Sequence, residues 1–251
     1  MRDYLIICPL VFIAGFIDAV AGGGGLISLP AYFITGIPVH SCVATNKMSA
    51  FMGTSVTTAK YASDGYIPWK TAAFCIPCAF IGSALGANAA LMIPDKVFKI
   101  VLIIVIPLTG IIILTKKDIL NPKRSYPEGI TMLICALSSF LIGMYDGFYG
   151  PGTGTFLLLL LSGVAGMELT RANGLTKAVN FVTNLSALVV FLLRDQVIIP
   201  LGITAGLFNI AGNYLGATRF EKNGSRIVKP VMITVLAVFF IKLMIEFMGE
   251  G

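Results

Sequence analysis

The chain repeats itself, and this limits its architecture more than any other property. "GFIDAVAGGGG" at Gly15 to Gly25 matches "GMYDGFYGPGTG" at Gly143 to Gly154, setting Asp18 against Asp146 at an offset of 128 residues. The offset then becomes 130 and holds. "TNKMSAF" (Thr45 to Phe51) aligns with "LTKAVNF" (Leu175 to Phe181), "GSALGAN" (Gly82 to Asn88) with "GNYLGAT" (Gly212 to Thr218), and "KVFK" (Lys96 to Lys99) with "RIVK" (Arg226 to Lys229). Two tandem copies of one unit predict two equivalent halves that bury their shared faces against each other.

The setting of the repeat is apolar. Only 12% of the 251 residues are charged and 57% are hydrophobic, whereas a water-facing globule has roughly a quarter of its residues charged. Apolar segments fall at 5–36, 41–63, 69–93, 97–115, 129–167, 170–193, 197–218 and 227–247, most of them reaching the ~20 residues that cross a bilayer core. The fold class is therefore all-α and polytopic. Repeat 1 spans 1–115, a charged linker with Asn121-Pro122 and Pro127 spans 116–128, and repeat 2 spans 129–251. The first apolar run is not read as a signal peptide, because its pattern returns in mid-chain. The five cysteines all lie in apolar stretches and read as packing, Cys75 and Cys78 included.

Each repeat opens on a segment broken by glycines, and the break decides the topology. Leu5 to Ala21 makes ~25 Å of helix but Leu26 to Gly36 only ~16 Å, so the second arm cannot span. If the broken segments crossed, the lysines and arginines would divide almost evenly between the two sides. If each instead enters, turns at its glycines and leaves by the same side, Lys60, Lys70, Lys116, Lys117, Lys123, Arg124, Arg171, Arg219, Lys222, Arg226 and Lys229 gather on one side. The other side keeps only Arg2, Lys96, Lys99, Arg194 and Lys242. Positive-inside bias then predicts inverted repeats, each a broken-helix hairpin (5–36 and 129–167) plus three transmembrane helices, with both termini outside the cytoplasm. An unwound backbone persists in a membrane only where protein or a watery cavity covers it. The two glycine breaks should therefore face each other, with the amides of Gly23, Gly24 and Gly25, and of Gly152, Thr153 and Gly154, turned toward an anion.

Lys47 and Lys177 occupy matching positions a few residues inside the second segment of each repeat. An ammonium there costs at least ~2.5 kcal/mol on insertion scales and faces a cavity or a partner. Two readings stand. The lysines neutralise Asp18 and Asp146, Lys47 with Asp18 and Lys177 with Asp146, as a scaffold. Alternatively an incoming anion competes for them while the carboxylates take up protons, which makes transport proton-coupled. Asn46, Thr54, Thr176, Asn180 and Asn184 stand nearby at spacings that share a helical face and could donate to anion oxygens, or simply bond helix to helix. Gly82 with Gly86, and Gly212 with Gly216, read as close helix contacts, and His40 as an exposed or capping residue.

At these residues the chain resembles the TauE/SafE-like sulfite exporter family, in its group of probable membrane transporters. The resemblance rests on "GFIDAVAGGGGLISLP" with "TNK" at Thr45 to Lys47, and on "GMYDGFYGPGTGTF" with "TK" at Thr176 and Lys177, and it covers both repeats. It implies an inner-membrane secondary carrier for sulfite, a sulfonate or a related small organic anion. An anion-selective channel and a carrier of non-sulfur carboxylates are the alternatives. No nucleophile or metal motif such as HExxH or GxSxG is present, so neither catalysis, metal nor cofactor is expected. The formal charge of +6 sits in loops at the membrane surface and does not point to nucleic acid. The implied partners are a small anion and the lipid bilayer.

Overall fold

The computed structural model describes residues 2–98 and 126–219, together with 100, 101, 104, 105 and 108. The described residues are helical and contain no strand. The elements are α1 (Arg2–Ala21), α2 (Gly25–Phe33), α3 (Val39–Ser63), α4 (Trp69–Leu91), α5 (Glu128–Phe148), α6 (Thr153–Leu159, continued by a π-helical turn Leu160–Val164), α7 (Leu169–Leu192) and α8 (Ile199–Arg219). Segment 227–247 and nearly all of the linker lie outside the described residues, as does much of 97–115.

Among the described residues, four helices are long and apolar enough to cross a membrane: α1 over Asp3–Val20, α4, α5 and α7. The 25-residue α3 would run ~37 Å, but its polar residues lower its hydropathy. Those residues point inward, since Thr45, Asn46, Lys47, Ser49, Thr54 and Thr57 are all buried. The outer faces of α4 and α5 show the reverse pattern, with Phe74, Ile81, Leu85, Leu133, Leu137 and Leu141 exposed. Apolar outside and polar inside is the arrangement of a protein solvated by hydrocarbon, where polar groups must find partners internally.

The repeat is visible in how the helices meet. Gly82 and Gly86 of α4 lie against the carbonyls of Phe140 and Met144 of α5, and Gly212 and Gly216 of α8 lie against those of Phe12 and Phe16 of α1. Each contact is the sequence equivalent of its counterpart, and both helix pairs run parallel. A Cβ at any of these glycines would enter the opposing backbone, so the small residues permit the close approach that helices in lipid rely on. The first helix of each repeat thus packs on a helix of the other, and the halves interlock.

α3 and α7, themselves equivalent, cross in opposite directions. Lys47 meets Asn184, the rings of Phe51 and Phe181 stack with centroids 5.2 Å apart, the Thr58 hydroxyl donates to the Lys177 carbonyl, and Asn173 donates to the Tyr61 hydroxyl. Phe51 and Phe181 are equivalent in sequence, so they mark where an approximate two-fold axis passes, perpendicular to both helices. α2 folds back along α1, and Ile7, Val11, Leu29 and Tyr32 share one buried cluster with Val39 and Val43 of α3. His40 lies apart from this centre. Its ring stacks on Phe98, and its two nitrogens meet the Asp95 carboxylate and the Ala90 carbonyl, tying the start of α3 to the end of α4.

Candidate functional site

The two glycine breaks meet at the middle of the bundle, as their sequence predicts. Gly22 and Gly154 lie in contact, and a Cβ on either would come within 2.8 Å of the other's backbone. Gly22 turns the chain with φ +72, and Gly150 with φ +101, values at which an L side chain is strained. Tyr145 steadies the second break by donating to the Pro151 carbonyl at 2.6 Å. The polar stretches of α3 and α7 lie against these breaks, and a cavity of about 50 Å³ opens between them. That is room for a few waters at about 10–15 Å³ each.

The lysines and aspartates pair across the repeats. Lys47 Nζ lies 2.8 Å from Asp146 Oδ2 and donates to Asn184 Oδ1 at 3.3 Å. Lys177 Nζ donates to the backbone carbonyl of Asp18 and stands 4.0 Å from its Oδ2. The within-repeat pairing considered from the sequence, Lys47 with Asp18 and Lys177 with Asp146, is therefore corrected. Each lysine sits on the central helix of one half, and the crossing of α3 and α7 carries it toward the hairpin of the other. Both ammonium groups are buried, at 2% and 1% side-chain exposure.

Of the residues singled out in the sequence, Asp18, Gly24, Gly25, Asn46, Lys47, Thr54, Asp146, Gly152, Thr153, Gly154, Asn180 and Asn184 line the cavity. Three do not. Lys177 stands behind Asp18, Thr176 turns its hydroxyl to the Ala172 carbonyl of its own helix, and Gly23 is buried with its carbonyl accepting from the Leu26 amide. Ser28 and Asn209 line the cavity without having been singled out. Asn209 accepts from Asn213 at 2.6 Å, and Asn213 in turn accepts from Thr57 at 2.5 Å, a polar chain that runs from α3 through α8 to the cavity. The signal for it was an asparagine pair four residues apart in an apolar helix.

Chemically the cavity combines one ammonium, two carboxylates and several neutral amides and hydroxyls. Lys47 has three donors, of which Asp146 and Asn184 occupy two. The side-chain oxygens of Asn46 and Asn180 are buried without a protein partner, a state that costs about 1–3 kcal/mol per group unless something in the cavity meets them. A primary amide can turn either end toward the same partner, so both asparagines can offer N–H to an oxyanion. Among the described residues no cluster of three His, Cys, Asp or Glu could hold a metal ion.

Comparison with known proteins bears on what such a site serves. A family model described as sulfite exporter TauE/SafE matches residues 7–243. The chain belongs to the sulfite exporter TauE/SafE family. Its similarity to a probable membrane transporter protein ORF9 of Sinorhizobium sp is 34% identity over 94% of this chain and 90% of that protein. A probable membrane transporter protein of Haemophilus influenzae is 32% identical over 88% of this chain and 87% of its own length. The probable membrane transporter protein YfcA of Escherichia coli K12 is 27% identical over 96% and 89% respectively. No solved structure matches the chain. As a member of the TauE/SafE family the protein is a membrane transporter and not an enzyme, integral to the bilayer and acting on a small-molecule substrate.

Proposed function

We propose that the protein is a secondary carrier that moves a small anion (sulfite, a sulfonate or a related organic anion) across the inner membrane with proton coupling. The observation that carries this reading is the meeting of both chain breaks at one polar, lysine-bearing cavity midway along the crossed helices α3 and α7. In hydrocarbon such breaks persist only where protein or a watery cavity covers them, and carriers built on broken helices place their substrate site at the breaks. The anion lies against the free donor of Lys47, with Asn46, Asn180 and Asn184 around it and the break amides of Gly24, Gly25, Gly152 and Gly154 completing the shell, while the Thr54 hydroxyl and the Thr153 amide donate to the Ala50 and Gly150 carbonyls. Lys177 acts through Asp18 and not by contact. Thr176 and Gly23 drop out of the shell.

The same reading makes the halves inverted repeats, 1–115 and 129–251, with re-entrant hairpins. Equivalent helices that cross in opposite directions about a perpendicular axis support it, because that axis lies in the membrane plane when α3 and α7 span. The cytoplasmic excess of Lys and Arg in the hairpin topology supports it independently. A cysteine replacing Ser63, at the exposed C-terminal end of α3, is then cytoplasmic, and one replacing Leu193, after α7, is outside. Impermeant thiol reagents applied to intact cells separate the two, and equal reactivity refutes the topology.

The transport test uses the purified full chain in proteoliposomes with labelled sulfite, methanesulfonate and acetate. A carrier shows saturable uptake and accelerated exchange against unlabelled substrate inside. Flux that rises linearly with concentration, without such exchange, identifies a pore and refutes the carrier. Saturable transport of acetate alone refutes the sulfur-oxyanion assignment.

A further inference from the structure

The two ion pairs at the centre are equivalent in sequence but not in construction. Asp146 is held on both oxygens: Oδ2 lies 2.8 Å from Lys47, and Oδ1 accepts the Thr153 hydroxyl at 2.7 Å. Its side chain is 5% exposed. Asp18 has no such clamp. The position of Thr153 is occupied in the first repeat by Gly25, which has no hydroxyl to give. Lys177 spends its short contact on the backbone carbonyl of Asp18, leaving the carboxylate 4.0 Å away and 17% exposed in the cavity wall.

From this asymmetry we infer that Asp18 alone is the proton-coupling carboxylate, and that Lys47 with Asp146 is a fixed pair that stays ionised through the transport cycle. The inference deepens the carrier reading above and rests on it. Two lysines and two aspartates leave the centre neutral in sum. An anion entering the same enclosed space adds one negative charge beside Asp18, and a second like charge that close disfavours the ionised carboxylate. Asp18 resolves this by binding one proton from the aqueous phase open to the cavity, its carboxylate becoming a carboxylic acid. Lys177 keeps its hydrogen bond through that step, because it runs to the main-chain oxygen, which does not titrate, and the incoming anion replaces the negative charge that Asp18 gives up. Protonating Asp146 would instead remove the closest partner of Lys47. The groups that face Asp18 are Lys177 from α7, Lys47 and Tyr61 from α3, and Asp146 from α5 across the cavity; α2 and α8 present only Ser28 and Asn209 there.

Two measurements on the purified full chain decide the matter. The first needs no substrate: dicyclohexylcarbodiimide modifies protonated carboxyls in apolar surroundings, and peptide mass spectrometry locates the adduct. Modification at Asp18 that rises as pH falls, with Asp146 unmodified, is the expected result. Modification of Asp146 in preference to Asp18, or of neither, overturns the inference. The second follows the binding of methanesulfonate, which stays a monoanion throughout, as a function of pH. Uptake of one proton per anion weakens affinity by about tenfold for each unit by which pH rises, over the range in which the proton is taken up on binding. Asp18→Asn should flatten this slope and Asp18→Glu should keep it. A slope that survives Asp18→Asn overturns the inference. Absence of methanesulfonate binding to the wild-type chain counts against the substrate reading instead, while the carbodiimide result still decides Asp18.

Discussion

The pairing of Lys47 with Asp146 predicts a specific pattern of rescue. Lys47→Met leaves the Asp146 carboxylate buried with only the Thr153 hydroxyl for company, and Asp146→Asn leaves the ammonium with only the Asn184 oxygen. Each single change should cost about 3–5 kcal/mol, the range for breaking a buried pair by removing one partner. Making both changes removes the stranded charge, so Lys47→Met with Asp146→Asn should recover most of that loss. The double change Lys47→Met with Asp18→Asn should recover nothing, because those residues do not pair. The second pair should respond more weakly. At an effective dielectric constant of about 20, gross attraction is about 6 kcal/mol for the 2.8 Å pair and about 4 kcal/mol for the 4.0 Å pair. The exposure of Asp18 lowers the latter further through solvent screening. Reversible unfolding of the detergent-solubilised variants by denaturant measures all four stabilities. Recovery in the Lys47–Asp18 double variant, with none in the Lys47–Asp146 one, would refute the crossed pairing of the lysines and aspartates.

Four further expectations can be read with the same stability assay. Gly150→Ala places a methyl 3.0 Å from Lys47 Nζ and 3.2 Å from Asp146 Oδ1 at φ +101, so it should cost about 1–2 kcal/mol in backbone strain alone and more by displacing the ion pair. Gly86→Ala drives a Cβ into the Met144 carbonyl and should cost about 1–3 kcal/mol. Gly129→Ala, at an open site on α5, should be neutral or stabilising by up to about 1 kcal/mol. His40→Phe can keep the stack on Phe98 but loses both ring hydrogen bonds, at about 1–3 kcal/mol, with faster proteolysis of the segment after α4 as a second readout.

Much of this arrangement was legible in the chain because repetition converts one observation into two. The glycine breaks, the small-residue contacts of α4 and α8 and the polar stretches of α3 and α7 each appeared twice, and each lies where its pattern implies. What escaped was relational. Nothing in the spacing says that a lysine pairs outside its own repeat, since that follows only from the crossing of α3 and α7. Nor does spacing say that the Thr176 hydroxyl bonds back to its own helix while its equivalent, Asn46, faces the cavity. Asn209 was hidden by the repeat itself, because its counterpart is Ala79, and a search for matched polar pairs passes over a residue that is polar in one copy only.

That mismatch separates two kinds of duty within the molecule. Several of the backbone contacts that bind the halves are symmetric: Gly82 on Phe140 answers Gly212 on Phe12, and Gly143 on Ala79 answers Gly15 on Asn209. The cavity wall has lost this symmetry, with Asn46 against Thr176, Asn180 against Ala50, Asn184 against Thr54 and Thr153 against Gly25. If transport proceeds by the halves exchanging conformations, an unbroken two-fold would make the inward-open and outward-open states equal in energy and the two carboxylates interchangeable. The paired glycines preserve the scaffold on which that exchange depends. Divergence in the wall then lets one carboxylate be clamped and the other left free, so a single proton site can serve both states while the paired glycines keep the frame that moves it.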